Sequence, residues 1–400
     1  MNRDRLADRV ASLRPSINLT AAAAPPAAGR PNPLLFVEGE PADFDTPEFV
    51  KAAAIQALRD GWTKYGPTGG LPELKDCIRQ KLSQENGLVY GADEVLVTVG
   101  AKQAIFNALM ALCNPGDEVL IPTPYWTSYP EQVRLVGATP RILLTQRPGW
   151  RLTPDILADV LSPKSRVLIL NNPSNPTGVV YQREGLVGFA AVAERADLWV
   201  IADEIYEKYV YDGRAFTAFA SLGPEMQQRT VTVNGVSKAF AMTGWRLGYA
   251  AGPASLIRAM TLVQGHSTSC ANVMTQRATM AALRGGQESV QTMVAAFQQR
   301  RDLMVNGLNR IGGIHCLRPE GALYVFPDVS RLLEGGSVGA PLRTSVELAR
   351  YLLEEAGVAV VPGEAFGAER AMRMVIAVPP EQIEEALVRM ESCLQRRIAR

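Results

Sequence analysis

From about residue 90 the chain alternates short, β-branched apolar runs with amphipathic stretches. The runs are EVLVTV (94–99), EVLIP (118–122), RVLIL (166–170), LWVIA (198–202) and TVTVN (230–234). A helix is expected to open near Lys102, and a Pro-Gly-Asp turn precedes the second run. Such runs between helical stretches predict an α/β fold, a mostly parallel sheet covered by helices on both faces. Beyond about residue 285 the pattern changes. A long helix rich in Arg and Gln (287–310) leads into short strands in GALYVF (321–326) and VAVVPG (358–363), with helices near 341–356 and 380–397. This predicts a smaller α+β domain.

A chain of 400 residues exceeds one simple core, so two domains are expected. Residues 21–33, AAAAPPAAGRPNP, read as a linker or extended arm, because their prolines forbid a regular helix.

In open parallel sheets, ligands bind beyond the carboxyl ends of the strands. Five segments at those ends carry useful groups: GAKQ (100–103), PYW (124–126), NNPSNPTG (171–178), DEIYE (203–207) and NGVSKAF (234–240).

Composition narrows the chemistry. The net charge is +1, so no broad basic field exists for nucleic acid or an anionic membrane, and the ligand is expected to be small. Five scattered cysteines without a C-x-x-C suggest free thiols in a reducing cytoplasm. With only His266 and His315, a histidine metal site or a Ser-His-Asp hydrolase is disfavoured. The N-terminal residues are too charged for a signal peptide, and no stretch of about twenty apolar residues predicts a membrane span.

Lys, Asp, Tyr, Arg or a cofactor must then do the work. Lys238, among small and apolar neighbours, is either a surface lysine at a helix start or an amine of lowered proton affinity able to form a Schiff base. Asp203 either caps a helix or partners a protonated pyridine nitrogen. Tyr206, three residues on, can reach the phenolic oxygen of the same ring, whereas Tyr209 reads as packing. Asn175 sits in a turn that does not itself require its amide, which could bond a cofactor oxygen and a substrate carboxylate. Trp126 offers a stacking face. Gly100, Ala101 and Lys102 lie between strand and helix, where free amides and the helix dipole favour a phosphate, and Arg246 could clamp it. No G-x-G-x-x-G or Walker A sequence supports a nucleotide.

DEIYE, SNPTG and NGVSKAFAMTGWRLGYAAGP resemble the signatures of fold type I pyridoxal-phosphate (PLP) enzymes, in the bacterial branch of the aspartate aminotransferase family. GEPADFDTPEF, TKYGPTGGLPEL, GAKQAIFNAL, NPGDEVLIPTPYW and ENGLVY extend the resemblance over nearly the whole chain. It implies a PLP-dependent transferase fold: an arm and part of the small domain at 1–48, a large PLP-binding domain at 49–285 and a small domain at 286–400. It also implies a homodimer with shared active sites, acting on an amino acid and a 2-oxo acid. Lys238 would hold the cofactor as a Schiff base and transfer protons, Asp203 would hold the pyridine nitrogen, and Tyr206 and Asn175 would contact the ring hydroxyl. Ala101, Lys102, Arg246 and Tyr65 of a neighbouring subunit would surround the phosphate. Gly39, Trp126, Asn175 and Arg373 would frame the substrate, with Arg373 on its α-carboxylate.

The sequence departs from the family at Met374, Val375 and Ile376 after that arginine, at an extra residue in GEPADFDTP, at Met110 and at Asn18. These changes are expected on the substrate side, which leaves the amino donor open. Transamination is the favoured reaction. The same parts would serve β- or γ-elimination, replacement or cyclisation on an activated amino acid. A regulator with an aminotransferase-like domain would need a DNA-binding module and a basic face, and neither is evident.

Overall fold

The computed structural model describes residues 7–11, 13, 32–145, 149–334 and 342–398. Asn18 and the Ala/Pro stretch up to residue 31 lie outside the described residues. In chain order the strands are β1 (Leu34–Leu35), β2 (Val95–Thr98), β3 (Glu118–Pro122), β4 (Thr139–Leu143), β5 (Ser165–Asn171) and β6 (Trp199–Asp203). They continue as β7 (Thr230–Gly235), β8 (Gly248–Ala251), β9 (Tyr324–Val325), β10 (Val358–Ala359), β11 (Val361–Pro362) and β12 (Met372–Val375).

Seven strands form the main sheet in the order β2-β8-β7-β6-β5-β3-β4. β8 runs antiparallel to both of its neighbours, and the other pairings are parallel. Successive residues of a strand point to opposite faces. Val119, Ile121, Val167, Ile169, Ile201, Val231 and Val233 therefore pack on one side, in the cluster that holds the helix Ala101–Leu112. Leu120, Leu168, Leu170, Val200 and Ala202 pack on the other, with the helix Arg183–Arg195. Both faces are dry, as the continuous apolar runs predict.

Two strands of the main sheet escaped the sequence reading. β4 is an edge strand of mixed exposure containing Pro140 and Arg141, and an edge needs neither a full apolar run nor every N–H. β8 is Gly-Tyr-Ala-Ala, small residues without a β-branched signature.

The C-terminal part builds its own cluster from the helices Glu288–Leu308 and Pro380–Ile398 and the sheet β11-β12-β9. β1 pairs in parallel with β10, so the early chain joins this part. The helix expected from 341 begins at Ser345, where Thr344 and Glu347 form a reciprocal cap, and ends in a π turn at Leu352–Ala356. Tyr206, Tyr209 and Tyr211, which follow β6, also pack in this cluster. The strand ends of the main sheet are thereby held against the C-terminal part.

Candidate active site

A cavity of about 260 Å³ opens at the carboxyl ends of β5, β6 and β7. Its lining brings together Gly39, Ala101, Lys102, Trp126, Asn175, Asp203, Tyr206, Lys238, Arg246 and Arg373. Tyr65 is not among the lining residues; it stands 93% exposed on the surface.

Lys238 follows β7, and its Nζ donates to the Gly39 carbonyl at 2.6 Å. Tyr209 Oη donates to the Lys238 carbonyl at 2.7 Å, so the tyrosine read as packing also fixes this backbone. Burial pulls the Lys238 ammonium down to about 8, helped by Arg246 and Arg373 and opposed by Glu40 and Asp203. Such an amine gives up its proton far more readily near neutral pH than an ordinary lysine does.

Asp203 closes β6, where register sets it beside Asn171 of β5. Its Oδ2 accepts from Tyr129 Oη at 2.6 Å, and its Oδ1 from the Ile205 N–H at 3.3 Å. Burial pushes this carboxyl up to about 6 against the pull of those donors and of Lys238. A cation at the cavity side of Asp203 would relieve that cost. On the far side of the turn, Glu207 accepts from Lys81 and Asn86, all buried, which pins residues 203–207 from behind.

Two cations converge from the mouth. Arg246 donates to the Thr243 carbonyl at 2.8 Å. A Cβ on Gly100 would lie 2.6 Å from an Arg246 Nη, and Gly100 has φ +77°, so only glycine lets the guanidinium reach the helix N-terminus at Ala101. Lys102 Nζ stands 4.9 Å from the centre of the Trp126 ring, and partial burial and then Arg246 lower its proton affinity. Opposite them, Arg373 is 1% exposed. Its guanidinium donates to Asn175 Oδ1 at 3.1 Å and to the Val37 carbonyl, between the rings of Tyr324 at 4.5 Å and Phe366 at 4.9 Å.

An amine, a buried carboxylate, a helix N-terminus with an arginine, and a second buried arginine thus share one cavity. The sequence profile described as Aminotransferase class I and II matches residues 32–390. The chain belongs to this family. An aspartate aminotransferase of Rhizobium meliloti (strain 1021) is 46% identical over 368 residues, spanning 91% of this chain and 89% of the relative. An aspartate/prephenate aminotransferase of Cereibacter sphaeroides (strain ATCC 17029 / ATH 2.4.9) is 45% identical over 392 residues, spanning 97% and 98%. The crystal structure of an aspartate aminotransferase from Rhizobium meliloti matches with a TM-score of 0.94 at 44% identity, covering 98% of this chain and 99% of that one. This protein is an enzyme, an aminotransferase, and the matches favour that activity over elimination, replacement or cyclisation.

The aminotransferase cavity also contains residues the sequence reading passed over. Tyr129, Asn171, Ser237, Thr243 and Tyr324 line it. Tyr129 lies three residues beyond Trp126, just past the segment PYW (124–126), where the chain enters the helix Ser128–Leu135, and the two rings meet edge to face at 5.3 Å. Tyr324 carried no local signal beyond its place in a short strand. Conversely, four of the departures expected on the substrate side fall elsewhere. Met110 is exposed on the helix Ala101–Leu112, and Met374, Val375 and Ile376 lie in the C-terminal core; none lines the cavity. Position 374 points away from Arg373 because neighbours on a strand alternate faces.

All five cysteines are unpaired. Among the described residues no His/Cys/Asp/Glu group could hold a metal ion, and no helix is long and apolar enough to cross a membrane.

Proposed function

We propose that this aminotransferase moves an amino group between an α-amino acid and a 2-oxo acid on pyridoxal 5′-phosphate anchored by Lys238, and that dicarboxylic substrates are preferred. The observation that carries the reading is the convergence of Lys238, Asp203, Arg246 and Arg373 on one cavity. The donor set fits the cofactor. Asp203 suits a protonated ring nitrogen, Trp126 a ring face, and Tyr206 and Asn175 the ring hydroxyl. The Ala101 and Lys102 amides at the helix N-terminus suit the phosphate, together with Arg246.

When bound, the cofactor would supply an aldehyde for amino groups and a ring that takes up the electron pair left on Cα. Lys238 Nζ would take the proton from the substrate Cα and return it on the same face, so that the amine ends the cycle in the protonation state in which it began. Its lowered proton affinity suits general acid–base work near neutral pH. Arg373 orients the substrate through its α-carboxylate, which fixes the Cα–H bond relative to Lys238. Gly39, whose carbonyl accepts from Lys238 Nζ, lines the cavity beside that amine, and the Val37 carbonyl holds the Arg373 guanidinium.

Preference for a second carboxylate rests on the remaining cation. With Lys238, Arg246 and Arg373 assigned, the Lys102 side chain over Trp126 faces the same cavity and has no anionic partner assigned by this scheme. Its backbone N–H serves the phosphate while its ammonium meets the distal carboxylate, in keeping with relatives named for aspartate. Lys102→Met is expected to lower kcat/KM for aspartate about tenfold, a loss of roughly 1.4 kcal/mol. Alanine as donor should change little. Equal losses for both donors in steady-state assays would remove Lys102 from substrate recognition.

A homodimer with shared sites completes the proposal, supported by the exposure of Tyr65. So do a large domain at 49–285 and a small one at 286–400 with the arm 1–48, supported by the separate apolar clusters. Unpaired thiols support a reducing, cytoplasmic setting.

The test is borohydride reduction of the holoenzyme followed by peptide mapping, alongside a screen of amino donors with 2-oxo acid acceptors. The label should appear on Lys238, and the donor should leave as its 2-oxo acid. A label on another lysine, or release of a leaving group without amino transfer, sinks the reading.

A further inference from the structure

Tyr324 reaches the cavity from the C-terminal part and makes a contact that the reading above leaves unused. Its Oη lies 2.7 Å from Tyr206 Oη, with both side chains buried and their rings edge to face at 5.8 Å. The Arg373 guanidinium covers its ring at 4.5 Å. Gly39 presses on the hydroxyl from the third side: a Cβ there would fall 1.8 Å from Tyr324 Oη. Tyr324 is therefore held in place by β9, by Arg373 and by the Gly39 backbone, with its hydroxyl against that of Tyr206.

We propose that Tyr324 is a positioning residue that donates its proton to Tyr206, so that the Tyr206 proton is left to point at the ring hydroxyl oxygen of the cofactor. A phenol has one proton to give. In a pair of phenols only one can donate to the other, and Tyr206 can serve the cofactor only if Tyr324 is the donor. The surroundings support that direction. Burial raises the Tyr324 phenol above its ordinary range, and the Arg373 guanidinium over its ring is the main influence opposing that rise, whereas at Tyr206 the same cation ranks behind burial and the contact with Tyr324. Donation into Tyr206 polarises its own O–H and strengthens the second bond of the chain. The same ring touches the arginine assigned to the substrate carboxylate, so one side chain links carboxylate binding to the polarity of the cofactor ring.

This inference rests on pyridoxal phosphate occupying the cavity with Tyr206 on its ring hydroxyl. The experiment is a spectrophotometric pH titration of the Lys238-bound cofactor in the holoenzyme, for the parent, Tyr324→Phe, Tyr206→Phe and the double variant. Loss of the relay weakens stabilisation of the ring oxyanion, so the midpoint in Tyr324→Phe should rise by about half a pH unit, roughly threefold in proton affinity. In the Tyr206→Phe background the same change should shift nothing, because the relay has no second link. A purely structural role would not produce that dependence. An unmoved midpoint, a downward shift (the sign expected if Tyr324 draws the Tyr206 proton away from the cofactor), or additive shifts would each overturn the proposal. Absence of a titrating chromophore in the parent holoenzyme would instead defeat the cofactor reading itself.

Discussion

Lys238→Ala is expected to lower turnover by about 10⁴-fold, since proton transfer by a positioned group alone contributes roughly 10²–10⁴ and the covalent anchor is lost as well. The expectation follows from position. Lys238 is the lysine that emerges from the end of a central strand into the cavity, its carbonyl held by Tyr209 and its amine on Gly39. Lys102, the other lysine of the lining, stands at the mouth over Trp126. Folding should survive, because the side chain makes one hydrogen bond and is costly to bury charged. The pH dependence of stability gives an independent check on the cofactor-free proteins. The folded Lys238 titrates at about 8 against an ordinary value of 10.5, so between these values the unfolded chain binds more protons. Stability of the parent therefore rises with pH across that window, and Lys238→Ala should lose this rise. Denaturant unfolding between pH 7.5 and roughly 10.5 measures it. Near-normal turnover in the variant would show that another amine does the chemistry.

Arg373→Lys is expected to reduce kcat/KM for α-amino acids by about 30- to 1,000-fold, corresponding to roughly 2–4 kcal/mol for a buried charged hydrogen-bond partner. The guanidinium spends donors on Asn175 and the Val37 carbonyl while stacked between Tyr324 and Phe366. A lysine ammonium has neither the planar fork nor the stacking faces, so it cannot hold the wall and the substrate together. Because the assigned cofactor contacts lie on other residues, the cofactor should remain bound at full occupancy. Unchanged kinetics would move the substrate carboxylate to another group.

Much of this site is legible in the chain. The apolar runs set where the strands lie, and a strand that is dry on both faces announces itself by composition alone. Strand ends then locate the rim, so Asp203, Asn175 and Lys238 could be named from their distance to the preceding run. The helix start at Gly100–Ala101 was legible for the same reason: a strand, a glycine and a helical pattern in sequence determine a local geometry. What the local pattern does not carry is which distant surfaces meet. Tyr129 bonds Asp203 because sheet order sets β3, which leads into the helix of Tyr129, one strand away from β6. Tyr324 reaches Tyr206, and Arg373 reaches Asn175, only because the C-terminal cluster takes in the tyrosines after β6 and seals itself against the sheet. The departures at Met110 and Met374 were misplaced for that reason too: closeness in sequence to a site residue does not decide the face a side chain takes, and a one-residue step along a strand reverses it. The sequence determines the elements and their buried faces through short-range sterics and burial. The encounters between polar tips are decided by sheet order and by packing between segments far apart in the chain, where an apolar pattern specifies contact but not the partner.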